Sequence, residues 1–298
     1  MTTVTRLEFS GLRSFLFTPG NHPRRVQKVF ATGADAAILD LEDAVAIAEK
    51  EATRSVVVEA LKNERRCKGY VRINSLGTDF WEGDIPAVVG PWLDGIVLPK
   101  AESAADLVSV DAAITEAEQA AGLEPGCIDL MPIVETAKGI VNVNEIAGAV
   151  PRVKRLSFGG GDYTNDLDFT WTPEEEVLAY ARARLVHASR VAEIEPPIDT
   201  VVIHIRDHDR FRASAERGRM FGFAGKLCIH PDQVPMTNEV FTPKPEEVEH
   251  ARAVIAAFEK AEADGLASIQ LDGYFIDYPI VYKAQRIIAL VERLEQAG

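Results

Sequence analysis

The stretch AAILDLED, Ala36 to Asp43, is an apolar run that ends in acids. Seven other short β-rich runs punctuate the chain: RSFLFTP, YVRINS, GIVLPK, LMPIVET, RLSFGGGD, TVVIHIR and KLCIHP, with helix-like segments between them. Strands that alternate with helices imply right-handed parallel units. Eight such units in about 230 residues are what a closed (β/α)8 TIM barrel needs. An open doubly wound sheet is the alternative arrangement of the same units.

The barrel is complete by about residue 235, and the remaining chain has its own grammar. The expected organisation is a catalytic barrel over residues 1–235 and a C-terminal extension over 236–298 made of helix, hairpin and helix. TPKPEEVEHARAVIAAFEKAEADG begins with prolines and acids, as a helix N-terminus should, and stops at Gly265. ASIQLDGYFI reads as a hairpin, because Asp272-Gly273 favours a type I′ turn. Pro279 restarts a helix whose Ile280, Ala284, Ile287, Ile288 and Val291 form an apolar stripe. Such a stripe packs on the barrel or on a neighbouring subunit, so a homo-oligomer is expected.

Composition narrows the class. The 298 residues are 47% hydrophobic and 26% charged, enough for a large core. Forty-six acidic against 32 basic residues give a formal charge of −14, which disfavours nucleic acid and anionic membrane as partners. Cys67, Cys127 and Cys228 form no CxxC pair, which argues against a disulfide scaffold or structural zinc. MTTVTRLEFSGLRS lacks an apolar core of signal-peptide length, and no run approaches a membrane span, so a cytoplasmic protein is expected.

In such a barrel the reactive groups sit at the carboxyl ends of the strands. Those ends deliver Glu42 and Asp43, Arg72, Glu135 and Asp162. Four carboxylates around one cavity would raise one another's pKa values unless a cation sits among them. The donors are oxygens, so a hard divalent ion is favoured, Mg²⁺ first. Glu135 and Asp162 are the expected metal ligands, with Glu42 and Asp43 holding water around the ion. The competing reading of each acid is a cap on the following helix. The glycine run before Asp162 fits neither nucleotide fingerprint and reads as room for a close backbone approach. Arg72 interrupts an apolar strand and either forms a salt bridge to Asp40 or Glu42 or neutralises charge on a substrate oxygen. Arg24, Arg25 and Lys28 offer a phosphate patch or a solvated helix face. Histidines 187, 204, 208 and 250 show no metal spacing, and His230 either touches ligand or shapes a turn.

RSFLFTPGNHP, GADAAILDLEDAV, VRIN, IVETAKGI, FGGGDYTNDL, GKLCIHPDQV and YFIDYPIVYKAQRII together resemble, in order and spacing, the citrate lyase β-subunit family, a relative of the malyl-CoA and citramalyl-CoA lyases. The resemblance runs from about Arg13 to Leu290. It implies a Mg²⁺-dependent carbon–carbon lyase that acts on a 3-hydroxyacyl-CoA and yields an acyl-CoA and a 2-oxo acid. It implies Glu135 and Asp162 as metal ligands and Arg72 at the oxo acid and the developing enolate; the Arg24 and Lys28 patch is then expected to meet the cofactor's phosphates. It also implies Asp277 as an acid or base that the C-terminal segment carries into a neighbouring subunit's site, in a homotrimer or hexamer. Gly161 stands where many members carry glutamate, and His204 and Tyr278 also depart from the pattern. Other functions consistent with the resemblance are the β-subunit of a carrier-protein-dependent citrate lyase, a thioesterase and an oxo-acid aldolase without CoA.

Overall fold

The structure, a computed structural model, describes residues 10 to 297. Eight strands close into a barrel: β1 (Ser14–Pro19), β2 (Ala36–Asp40), β3 (Lys68–Arg72), β4 (Gly95–Leu98), β5 (Asp129–Val134), β6 (Ser157–Phe158), β7 (Ile198–Asp199) and β8 (Gly225–Cys228). Each strand pairs in parallel with the next, and β8 pairs with β1 through Phe15 and Leu227. Side chains alternate across a strand, so each one feeds two cores. Phe15, Ile38, Tyr70, Val97, Met131, Ile133, Ile198 and Leu227 fill the barrel interior. Leu16, Ala37, Leu39, Val71, Ile96, Leu98, Val134 and Cys228 face the surrounding helices.

The two ends of the barrel differ. At the amino-terminal end Asp129 Oδ2 accepts a hydrogen bond from Tyr70 Oη at 2.7 Å and pairs with Arg155 Nη1 at 3.0 Å. Arg155 also pairs with Glu195, so this end is plugged by charge that is already matched. The carboxyl ends remain available for a site.

One strand expectation is corrected. TVVIHIR does not extend as β7, which is only Ile198–Asp199, and residues 200–207 form a loop with Ile203 and Ile205 exposed. The apolar alternation there has no neighbour to pair with, since β6 itself spans two residues and meets β7 at the single pair Ser157 and Ile198.

The chain forms two compact units, one over Leu12–Phe241 and the other from Thr242 onward. The expected boundary after residue 235 falls inside the helix Gln233–Phe241, where Val234, Val240 and Phe241 are buried in the barrel unit's core. In the second unit the helix Pro245–Ala263 precedes the antiparallel pair β9 (Ser268–Leu271) and β10 (Tyr274–Asp277) and the helix Tyr278–Ala297. Asp272 and Gly273 at the turn both have positive φ, 51° and 85°, as a type I′ hairpin requires. The apolar stripe of the last helix has its partners within this unit. Val281 and Ala284 are buried with Ala251, Val254, Phe258 and Ile276, while Ile280 is exposed. Among the described residues no helix is long and apolar enough to cross a membrane.

Candidate active site

Asp40 closes β2 and sets the geometry of the next turn. Its carboxylate accepts the backbone N–H groups of Glu42 at 2.9 Å and Ala44 at 3.1 Å. The same two oxygens take Arg72 in a bidentate grip, Nε at 2.7 Å and Nη2 at 2.6 Å. A fork of this kind fixes a guanidinium in direction as well as position. Arg72 Nη1 then lies 2.9 Å from Glu42 Oε2, an ion pair without hydrogen-bond alignment. Burial alone would lower the Arg72 pKa, but Asp40, Glu42 and Glu135 outweigh it and hold the group protonated. For Glu42 burial dominates and raises the pKa above the usual carboxylate range, against the opposing pull of Arg72 and Lys100. Lys50 fixes the turn from beneath, donating to the carbonyls of Leu41 at 3.0 Å and Glu42 at 2.8 Å.

Glu135 follows β5 and is buried. It does not cap the next helix: Thr136 does, accepting from Gly139 N at 3.0 Å. Glu135 Oε1 instead accepts the backbone N–H of Lys100 at 2.8 Å. Its pKa is pushed well up, first by burial and then by the negative charge of Asp162, with Arg72 pulling the other way. Asp162 stands in the first turn of the helix Gly160–Asp166, whose N-cap is Gly159. The three glycines differ in purpose. A Cβ on Gly159 would collide with Glu135 Oε2, and one on Gly160 would come within 2.9 Å of Thr200 Oγ1, which accepts the Gly160 N–H at 2.7 Å. A Cβ on Gly161 would meet only Trp171 Cζ3, at 3.8 Å.

Asp162, at the end of β6, is near enough to Glu135, at the end of β5, to raise its pKa, and Arg72 acts on the same carboxylate with the opposite sign. Among the described residues no three His, Cys, Asp or Glu side chains form a metal-binding group. A pair of carboxylates, one of them buried and carrying an unfavourable charge, is nevertheless the donor set a Mg²⁺ ion takes when substrate and water supply its other positions. Glu135 and Asp162 fit that role.

Asp43 is exposed, 3.8 Å from Lys100 Nζ. Arg24 and Lys28 are exposed on the short helix Pro23–Lys28 that follows β1. Asp277 belongs to the second unit, at the end of β10 opposite Ser268. His204 lies in the loop after β7, 3.5 Å from Arg210. Lys100, at the end of GIVLPK, escapes a reading that looks for acids and for an arginine within a strand. Its ammonium is 2.9 Å from Glu42 Oε1, and the only signal for it is its place at the carboxyl end of a barrel strand.

Residues 13–231 match the HpcH/HpaI aldolase/citrate lyase family. The citrate lyase subunit beta of Leuconostoc mesenteroides subsp. cremoris is 39% identical over 280 residues, 93% of this chain and 92% of that one. The L-malyl-CoA/beta-methylmalyl-CoA lyase of Cereibacter sphaeroides is 35% identical over 305 residues, 95% of each. Among solved structures, CitE of Mycobacterium tuberculosis in complex with magnesium, acetoacetate and coenzyme A superposes with a TM-score of 0.77 at 28% identity, covering 94% of this chain and 98% of that one. The chain belongs to the HpcH/HpaI aldolase/citrate lyase family and is a carbon–carbon lyase.

Proposed function

We propose that the protein cleaves, or in reverse forms, the carbon–carbon bond of a 3-hydroxyacyl-CoA such as malyl-, citramalyl- or citryl-CoA, with Mg²⁺ held by Glu135 and Asp162. The observation that carries this reading is the buried Glu135 carboxylate set against Asp162 with Arg72 beside them. When bound, the ion supplies a Lewis acid that polarises the substrate's hydroxyl and carboxylate oxygens. Arg72, fixed by Asp40, donates to the thioester oxygen where negative charge develops as the bond breaks. The hydroxyl proton passes to water, its oxygen becomes the ketone of the 2-oxo acid, and the bonding electrons pass to the acyl fragment as an enolate. Asp277 of a neighbouring copy, protonated from solvent, gives its proton to the enolate carbon and yields the acyl-CoA. Glu42 and Asp43 orient water at the pocket edge, and Arg24 and Lys28 meet the phosphates of coenzyme A. The protein works in the cytoplasm as a homotrimer or hexamer.

The complex of CitE with magnesium, acetoacetate and coenzyme A supports the ligand set, and the L-malyl-CoA/beta-methylmalyl-CoA lyase relative supports a CoA thioester as substrate. A second reading, the β-subunit of a carrier-protein-dependent citrate lyase, is favoured by the 39% identical relative. A panel of malyl-, methylmalyl-, citramalyl- and citryl-CoA with Mg²⁺, run beside a citryl thioester on an acyl carrier protein and read by the keto acid released, separates them. Turnover of at least one CoA thioester by the purified chain is expected. Turnover only of a carrier-bound thioester would favour the second reading, and release of free CoA without a keto acid would mark a thioesterase.

A further inference from the structure

Lys100 presents two different groups to two different carboxylates. Its backbone sits in the left-handed region at φ 50°, an uncommon place for a residue with a side chain. That turn aims its N–H at Glu135 Oε1, 2.8 Å away. Its ammonium points to the opposite wall, 2.9 Å from Glu42 Oε1 and 3.8 Å from Asp43. Asp162 is the remaining carboxylate that acts on it electrostatically. Glu42 is thereby clamped on both oxygens, by Lys100 on Oε1 and by Arg72 on Oε2. Its main chain is fixed too, at the carbonyl by Lys50 and at the N–H by Asp40.

We propose that Lys100 is a positioning residue that sorts the carboxylates of the pocket, offering Glu135 to a divalent ion while keeping Glu42 off it. The proposal rests on the reading of Glu135 and Asp162 as the metal pair. Arg72 is locked by its bidentate grip on Asp40, so Lys100 is the adjustable half of the clamp, on a flexible stem with a side chain 37% exposed. Without the ammonium, Glu42 keeps a buried charge with one counter-ion fewer, and an ion held beside Glu135, on which Glu42 already acts electrostatically, would take the ammonium's place. Glu42 would then take a position that substrate oxygens need.

The consequence has an unusual sign. Lys100→Met keeps the backbone N–H and removes only the charge, so it should bind Mg²⁺ more tightly by roughly three- to tenfold, the scale on which a unit charge acts on a divalent ion across a wet pocket. Damage to the fold would loosen binding instead. Calorimetric titration with MgCl₂ in the absence of substrate reads this without reference to turnover, with thermal melts confirming that each variant is folded. Lys100→Arg should bind Mg²⁺ as the parent does, and Lys100→Gln should repeat the gain seen with Met. In the Glu42→Gln background, Lys100→Met should change affinity by less than twofold. Unchanged or weaker Mg²⁺ binding in both Lys100→Met and Lys100→Gln would overturn the proposal, as would an equal gain with and without Glu42. Equal binding by the parent and Glu135→Gln would instead refute the metal pair itself and leave a separate signature.

Discussion

Two of the charge clusters in this barrel obey opposite rules. Behind β7 and β8, Asp199 and Lys226 point outward to the helices, because their neighbours Ile198 and Leu227 fill the barrel interior. Asp199 takes Arg182 Nε at 2.9 Å on one oxygen and Lys226 Nζ at 2.9 Å on the other. Glu175 takes Arg182 Nη2 at 2.8 Å and Arg217 Nη1 at 3.1 Å, and Ser214 bridges to Lys226. Cations outnumber carboxylates in this cluster. Burial would raise the Asp199 pKa, but Lys226 and Arg182 hold it below the usual range. At the carboxyl-terminal mouth the balance is reversed. Carboxylates outnumber Arg72 and Lys100, and the pKa values of Glu42 and Glu135 rise. A carboxylate pulled down by its neighbours is complete in the folded chain, whereas one pushed up is matched only when something else arrives.

That contrast can be broken from either side. The largest effect is expected at the mouth: Glu135→Gln or Asp162→Asn should lower Mg²⁺-dependent turnover by about a thousandfold or more, the several kcal/mol a Lewis acid contributes. Melting temperature should hardly move, and steady-state kinetics beside a thermal melt checks both. In the closed cluster the same loss of a carboxylate should act on the fold. Asp199→Ala leaves the buried Lys226 with no carboxylate and Arg182 with Glu175 alone, and should cost about 3 to 5 kcal/mol in denaturant unfolding. Turnover per folded molecule should stay near that of the parent.

A finer test uses pH. Because the folded pKa of Asp199 lies below its unfolded value, its stabilisation is present above the unfolded value of about 3.9 and fades as pH falls through the folded one. Denaturant midpoints measured below about pH 4 should therefore fall less steeply with acid in Asp199→Asn than in the parent. The smallest effect separates the glycines. Gly161→Ala adds a methyl group within a helix at ordinary contact distance from Trp171 and should leave stability unchanged or raise it by up to about 1 kcal/mol. Gly159→Ala must displace the Glu135 carboxylate, so it should weaken Mg²⁺ binding while Gly161→Ala does not.

Much of this was legible in the chain. Seven of the eight β-rich runs overlap their strands, because buried parallel strands are short, mostly apolar runs. TVVIHIR shows the limit: alternation describes what a segment tolerates, and only a pairing partner makes it a strand. Arg72 could be read as structure or as function; the salt bridge to Asp40 is present, and the same grip fixes the direction of the guanidinium that the proposed role needs. Lys100 was not legible, because its use depends on a left-handed backbone and on two walls that meet only in the closed barrel. The apolar stripe of the last helix was visible, but its partners on the helix Pro245–Ala263 and the hairpin were not, since a stripe records that a face is covered and not by what.

Direct titration of the purified chain with Mg²⁺, with and without Glu135→Gln and Asp162→Asn, bears most immediately on the claim that carboxylates from two adjacent strand ends hold one hard cation. One site per chain is expected in the parent, lost or severely weakened in either variant. A site of unaltered stoichiometry and affinity in both variants would mean that the ion, if it binds at all, is held by other side chains.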